Sequence, residues 1–217
     1  MPGQFGPKPP PLSAGTTGPA GAVPPPGTVS AVVEREVFVR SLVLGGARSG
    51  KSAHAEGLVP EDAAVTYVAT ARRDPSDGEW NERIAKHVAR RPDRWRTVEA
   101  PDSDSLRRVL AEAAAGDPVL VDDLATWLTG VLDDAGAWER DPAALDVVAS
   151  HCDALVEAVA ASAGRVVLVS AEVGLGVVPG TRSGRLFRDE LGSLNARLAA
   201  VCDEVLLLVA GCPLRIR

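Results

Sequence analysis

Gly45-Gly46-Ala47-Arg48-Ser49-Gly50-Lys51-Ser52 fits G-x-x-x-x-G-K-[ST], a loop that cradles phosphates. Its setting fits too. Phe38-Val39-Arg40-Ser41-Leu42-Val43-Leu44 before it reads as a buried strand, and Ser52-Ala53-His54-Ala55-Glu56-Gly57-Leu58 after it as the start of a helix. Glycines let the backbone turn tightly and aim successive N–H groups at an anion. The helix N-terminus adds partial positive charge at the same place. Lys51 is expected to reach the β- and γ-phosphates of a nucleotide, and Ser52 to hold Mg²⁺. The alternative is a glycine-rich turn that binds nothing; the strand before it and the helix after it weigh against that.

Outward from this loop, strands and helices alternate. Ala64–Ala69, Trp95–Glu99, Pro118–Asp122, Arg165–Ser170, Glu204–Ala210 and Leu214–Ile216 read as strands. Helices are expected from Glu79 to about Arg91, stopped by Pro92, and around the apolar stripes of Leu106, Val109, Leu110, Ala113 and of Leu124, Trp127, Leu128, Val131, Leu132. Two longer ones run from Pro142, with Asp141 as cap, to about Ala163, and from Ser183 to about Val201. This alternation predicts an α/β fold, a mostly parallel sheet with helices on both faces.

Composition bounds the rest. Nine of the 17 prolines lie in residues 1–26 of the 217, among Gly, Ala, Thr and Ser. Such a segment buries too little apolar surface to offset its ordering entropy. Residues 1–34 are expected to be disordered and residues 35–217 to form one nucleotide-binding domain. A start codon assigned too far upstream is an alternative, since a complete domain begins near Val37. No apolar run is long enough to span a bilayer, so no membrane insertion is expected. A net charge of −6 argues against nucleic acid as a partner. Cys152, Cys202 and Cys212 are few and scattered, which suits a reducing cytoplasm. Cys152 and Cys202 read as core residues.

Val119-Leu120-Val121-Asp122-Asp123 is the natural partner of the phosphate loop. An acid ending a strand that neighbours the loop's own can take Mg²⁺ directly or through water. Asp122 is favoured for that role, and Asp123 for the cap of the following helix. The helix from Glu79 carries Arg83, Lys86, His87, Arg90 and Arg91, with Arg94 and Arg96 beyond. Positions 83, 87, 90 and 94 share helical spacing. One reading is a solvated basic face. The other is a second phosphate site containing a nucleophilic histidine, with arginines to stabilise the transferring group. His54 and His151 read as packing or surface residues. Glu172, opening the Gly-Pro loop Glu172–Pro179 at the sheet's C-terminal edge, is either a site residue or part of an ordinary turn.

Together these pieces resemble one family. The loop followed by x-His-Ala-Glu at 45–56 is similar to the bifunctional adenosylcobinamide kinase/adenosylcobinamide-phosphate guanylyltransferases of cobalamin synthesis. Tyr67-Val68-Ala69-Thr70, Arg83-Ile84-x-x-His87, and Arg91-Pro92-x-x-Trp95-Arg96-Thr97-x-Glu99 agree in order and spacing. So do Glu172-Val173-Gly174-x-Gly176-x-Val178-Pro179, Phe187-Arg188-Asp189 and Asn195-x-Arg197-Leu198-Ala199. The resemblance covers about residue 40 to the C-terminus. It implies a RecA-like P-loop NTPase fold and a homotrimer. It implies phosphorylation of adenosylcobinamide by ATP or GTP, with Mg²⁺ or another divalent cation, then transfer of GMP from GTP through a histidine–GMP intermediate. Some members have two adjacent histidines where this chain has Lys86-His87, so His87 is the only candidate nucleophile in that segment. The implied nucleotide contacts, besides residues 45–52, are Ala69, Thr70, Ala71, Lys86, Val88, Ala89, Arg90, Glu99 and Asp122. Lys51 and His87 are the implied catalytic residues, and Ser52 and Asp122 the implied metal ligands. Two other readings remain: a P-loop kinase without guanylyl transfer, and a regulatory module that binds nucleotide without chemistry.

Overall fold

A computed structural model of the chain describes residues 40–72, 76, 78–89, 91–100, 102–113 and 117–217, without the side chains of residues 79, 80, 83, 84, 86 and 87. These residues belong to a compact unit, Val37–Arg217. The disorder expected for residues 1–34 concerns a stretch outside them. In chain order the elements are β1 (Arg40–Gly45), α1 (Lys51–Glu56), β2 (Thr66–Ala69), α2 (Gly78–Ala89), β3 (Arg96–Glu99) and α3 (Ser103–Glu112). Then come β4 (Val119–Asp122), α4 (Leu124–Ala135), a 3₁₀ turn (Ala137–Glu139), α5 (Pro142–Ala161), β5 (Val166–Ala171), α6 (Arg182–Val201), β6 (Glu204–Val209) and β7 (Cys212–Arg215). Each helix and strand read from the sequence is present, with ends shifted by a few residues.

Several helix starts are written in single side chains. Asp102, Asp123 and Asp141 accept from the backbone N–H of Ser105, Thr126 and Ala144 at 2.8, 2.8 and 3.1 Å. Thr181 does the same for α6 through Gly184 N–H at 3.1 Å. Each bond satisfies one of the donors a helix leaves open at its start. Asp123 is therefore the cap of α4, as its position after β4 suggested.

The sheet has seven strands in the order β3-β2-β4-β5-β1-β6-β7. All neighbours are parallel except β6 and β7. The parallel pairings put the C-terminal ends of β1 to β6 on one edge, where the phosphate loop leaves β1. β1 and β5 are central, and their near-continuous apolar sequences follow from burial on both faces. On one face Leu42, Leu44, Val121, Val166, Leu168 and Val205 pack under residues of α3, α4, α5 and α6. On the other, Val43, Tyr67, Leu120, Val167, Val169 and Leu208 lie with Ala55 of α1 and Val59.

Two points differ from the sequence reading. β4 does not neighbour β1: β5 pairs with both and lies between them. Strand order is set by long-range crossovers, which no local pattern encodes. The last strand also begins earlier than expected, because Val209 and Cys212 close a two-residue hairpin. Its turn residues Ala210 and Gly211 have φ of 51° and 81°, the positive angles such tight hairpins require. Ala-Gly is a weak signal for that turn.

The expected core cysteines are buried. Burial pushes the Cys152 thiol up to about 11 and the Cys202 thiol to about 12, so both stay protonated and unreactive at neutral pH.

Candidate active site

The phosphate loop leaves β1 at Gly45 and enters α1 at Lys51. A side chain at Gly45 would put a Cβ 2.4 Å from Ser49 Oγ and 3.1 Å from the Leu208 carbonyl oxygen, so only glycine fits. Gly50 has φ of 90°, a conformation open to glycine at little cost. The loop closes on itself through Ser49 N–H to the Gly46 carbonyl at 3.3 Å, and His54 N–H bonds the Gly50 carbonyl at 2.9 Å. The β6–β7 turn supports it from behind: Gly211 N–H donates to the Ser49 carbonyl at 3.0 Å. Gly46, Ala47, Arg48 and Gly50 are exposed, and Lys51 and Ser52 are half-buried. Ser49 Oγ is buried with no hydrogen-bond partner among the described residues. That hydroxyl lies against Gly45, under the exposed residues 46–48 of the loop.

Asp122 reaches this loop across β5. Ser52 Oγ donates to Asp122 Oδ1 at 3.3 Å. Hydroxyl and carboxylate oxygens are the hard donors Mg²⁺ takes beside nucleotide phosphates, so the pair expected to hold a cation is brought together. The other carboxylate oxygen, Oδ2, accepts from Tyr67 Oη at 2.6 Å. Burial, and then the Asp122 charge, push the Tyr67 phenol well above its ordinary value, so it keeps its proton and donates. The Arg91 guanidinium lies 3.4 Å from the centroid of the Tyr67 ring, and Arg91 Nη1 donates to Thr97 Oγ1 at 3.0 Å. Trp95 stacks on Tyr67 at a centroid distance of 6.3 Å.

Tyr67 and Arg91 stand in the family motifs, but nothing in their local sequence points to the phosphate loop. Only Tyr67's place on β2, paired in register with β4 so that Ala69 lies opposite Asp122, brings it to the carboxylate. Arg91 N–H bonds the Val88 carbonyl at the end of α2 at 3.1 Å, and its side chain meets Tyr67 and Thr97; the cations around His87 with which the sequence groups it lie outside the described side chains.

The remaining described candidates lie on β2, β3 and α2 and in the loop after β2. Ala69 ends β2, Thr70 and Ala71 follow it, and Glu99 ends β3 opposite Ala69. β3 lies four strands from β1, about 19 Å at the usual ~4.8 Å per strand. Strand order thus sets Glu99 well away from β1, at the C-terminal end of the edge strand β3. Thr70 is 2% exposed, and its hydroxyl donates to the Asp123 carbonyl at 2.7 Å, tying the ends of β2 and β4 together. Val88 and Ala89 are exposed at the end of α2. The side chains of Lys86 and His87, and all of Arg90, lie outside the described residues, so the basic face around His87 does too.

Glu172 follows β5 beside the loop: its N–H donates to the Gly45 carbonyl at 3.1 Å, while its Oε1 accepts from Gly174 N–H at 2.6 Å. His151 Nδ1 pairs with Ser103 Oγ at 2.9 Å, joining α5 to the start of α3. His54 carries a buried Nε2 without a partner among the described residues. No helix among the described residues is long and apolar enough to cross a membrane.

A parallel sheet with a phosphate loop after a central strand, and an acid on the loop's serine, defines a P-loop nucleotide-binding α/β protein. The family model described as CobU, cobinamide kinase/cobinamide phosphate guanyltransferase, matches residues 41–216. Curated relatives agree. The chain is 44% identical over 180 residues to the bifunctional adenosylcobalamin biosynthesis protein CobP of Pseudomonas aeruginosa, covering 82% of this chain and 98% of that one. It is 40% and 39% identical over 183 residues to the proteins named CobU in Salmonella typhimurium and Escherichia coli, covering 81% of this chain and 98% of each. A solved ATPase of a bacterial type III secretion system superposes at a TM-score of 0.49 and 10% identity, over 78% of this chain and 51% of that one; so loose a likeness carries no inference. The chain belongs to the cobinamide kinase/cobinamide phosphate guanyltransferase family, and it is a bifunctional transferase of cobalamin biosynthesis.

Proposed function

We propose that this chain phosphorylates adenosylcobinamide with ATP or GTP at the phosphate loop, then transfers GMP from GTP to the product through a covalent intermediate on His87. The observation that carries the first half is Ser52 against Asp122 at 3.3 Å, at the mouth of a loop built for phosphate. In this step the acceptor hydroxyl oxygen attacks the γ-phosphorus. The bond from that phosphorus to the β–γ bridging oxygen breaks, and the nucleoside diphosphate leaves. Backbone amides of residues 46–51 and the Lys51 ammonium hold the β- and γ-oxygens as charge shifts onto the leaving group. Ser52 and Asp122 would hold Mg²⁺, which when bound with nucleotide neutralises phosphate charge.

In the second step a ring nitrogen of His87 attacks the α-phosphorus of GTP, and pyrophosphate leaves. A phosphate oxygen of adenosylcobinamide phosphate then attacks the same phosphorus and the N–P bond breaks, freeing the histidine. Imidazole, with an ordinary pKa of about 6.5, is largely neutral at pH 7 and so has a nitrogen free to attack. Lys86 and Arg90 supply positive charge for the triphosphate. The placement rests on the ordered motif set from Arg83 to Glu99. That same resemblance is the ground for a homotrimer as the working form, and the three free cysteines suit a cytoplasmic setting.

Incubation of the whole protein with labelled GTP tests the reading. An acid-labile GMP adduct on the protein, together with phosphate transfer to adenosylcobinamide, is expected. Phosphate transfer with no adduct would leave a kinase alone, and binding with neither would leave a regulatory module.

The head of the chain should be dispensable. Deleting residues 2–34 is expected to leave both the melting temperature and the turnover of the enzyme unchanged, because Phe5, Leu12, Val23, Val29 and the pair Val32-Val33 are too few and scattered to build a packed face. A large fall in either quantity would make the head a docked element.

A further inference from the structure

We propose that Tyr67 is a positioning residue of the phosphate-loop site, its hydroxyl fixing the rotation of the Asp122 carboxylate so that one oxygen stays turned toward Ser52. The inference rests on the reading of Ser52 and Asp122 as the cation-holding pair. A carboxylate turns readily about its last side-chain bond, and a half-buried one at a strand end has few neighbours to stop it. Here its two oxygens are divided. Oδ1 faces Ser52 Oγ at 3.3 Å and Oδ2 receives the Tyr67 hydroxyl at 2.6 Å. A hydroxyl-to-carboxylate bond of that length is charge-assisted and among the stronger kinds. A neutral donor on Oδ2 leaves the negative charge of Asp122 available on the side where the nucleotide's cation would sit.

The donor is itself held. Tyr67 is 1% exposed and stands on β2, in the row beside β4 where Tyr67 pairs with Leu120 and Ala69 with Asp122. The Arg91 guanidinium covers its ring at 3.4 Å, and Arg91 is anchored to Thr97. Trp95 stacks on the same ring. Arg91 and Trp95 follow α2, so the segment that leaves the proposed guanylyl-transfer helix is packed on the residue that orients the kinase carboxylate. A buried tyrosine needs some hydrogen-bond partner, and a purely structural Tyr67 would satisfy that need anywhere. What singles this one out is its choice of the very carboxylate that faces the phosphate-loop serine.

Tyr67→Phe in the full chain keeps the ring, and with it the Arg91 and Trp95 contacts. Binding of Mn²⁺ in the presence of a non-hydrolysable ATP analogue, followed by the electron paramagnetic resonance of free Mn²⁺, should weaken by about tenfold, the lower range for loss of a residue that orients a metal ligand. Binding of the analogue without metal should be unchanged. In an Asp122→Asn background, Tyr67→Phe should cause no further loss of Mn²⁺. Unchanged Mn²⁺ affinity in Tyr67→Phe would overturn the proposal. So would equal losses of analogue affinity with and without metal, or a full additional loss in Asp122→Asn, since each marks a structural effect. If Asp122→Asn itself leaves Mn²⁺ binding intact, the cation site is wrongly placed and Tyr67 falls with it, an outcome recognisable from that single variant.

Discussion

Lys51→Ala should abolish phosphorylation of adenosylcobinamide, lowering kcat by a hundredfold or more. Lys51 is the first residue of α1, directly after Gly50 with its φ of 90°, so it stands where the phosphate loop turns into the helix. During transfer, negative charge grows on the β–γ bridging oxygen and the other β-phosphate oxygens of the leaving group. Removing a fixed cation from that place costs on the order of 3 kcal/mol in the transition state, which is a hundredfold in rate. Lys51 belongs to neither apolar cluster, so the melting temperature should hold. Steady-state phosphorylation by the purified variant is the measurement. Kinetics equal to wild type would remove the phosphate loop from the kinase step.

His87→Ala should eliminate GMP transfer while much of the kinase activity survives. Without an imidazole no nitrogen is present to form the N–P bond, and the two-step route through the enzyme closes. Phosphoryl transfer to the cobinamide hydroxyl needs no covalent enzyme intermediate, and its residues Lys51, Ser52 and Asp122 lie on other elements. Mass spectrometry after GTP incubation should find one added GMP on the wild-type peptide that contains His87, and none in the variant. An adduct that persists in His87→Ala, or maps to His54 or His151, would refute this nucleophile. Partial loss of kinase activity would be informative as well, because Arg91 joins the end of α2 to Tyr67 and so to Asp122.

Much of the molecule was legible along the chain. The phosphate loop is eight consecutive residues with a strand before and a helix after. The helices announce themselves through apolar stripes and caps such as Asp123 and Asp141, and β5 through an unbroken apolar run. These signals are local: each is carried by residues within one or two turns or one strand. Asp122 as the acid near the loop was also legible, because it ends a buried strand. Glu172 was only half so. The sequence could place it at the sheet's C-terminal edge, but not say that its carboxylate would bond Gly174 N–H in its own loop.

By itself, then, the sequence determined the class of fold, the phosphate loop and the ordered motifs of the family, since short-range geometry and hydrophobic periodicity dictate them. Tertiary structure alone decided that β5 would stand between β1 and β4. It decided that Glu99 would stand on the edge strand, four strands from β1, and that Tyr67 would be bound to Asp122 with Arg91 on its ring. The physical reason is separation. Tyr67 and Asp122 are 55 residues apart, and Ser52 and Asp122 are 70 apart. Contacts of that span depend on strand order and register across the whole sheet, and no stretch of the chain carries them alone.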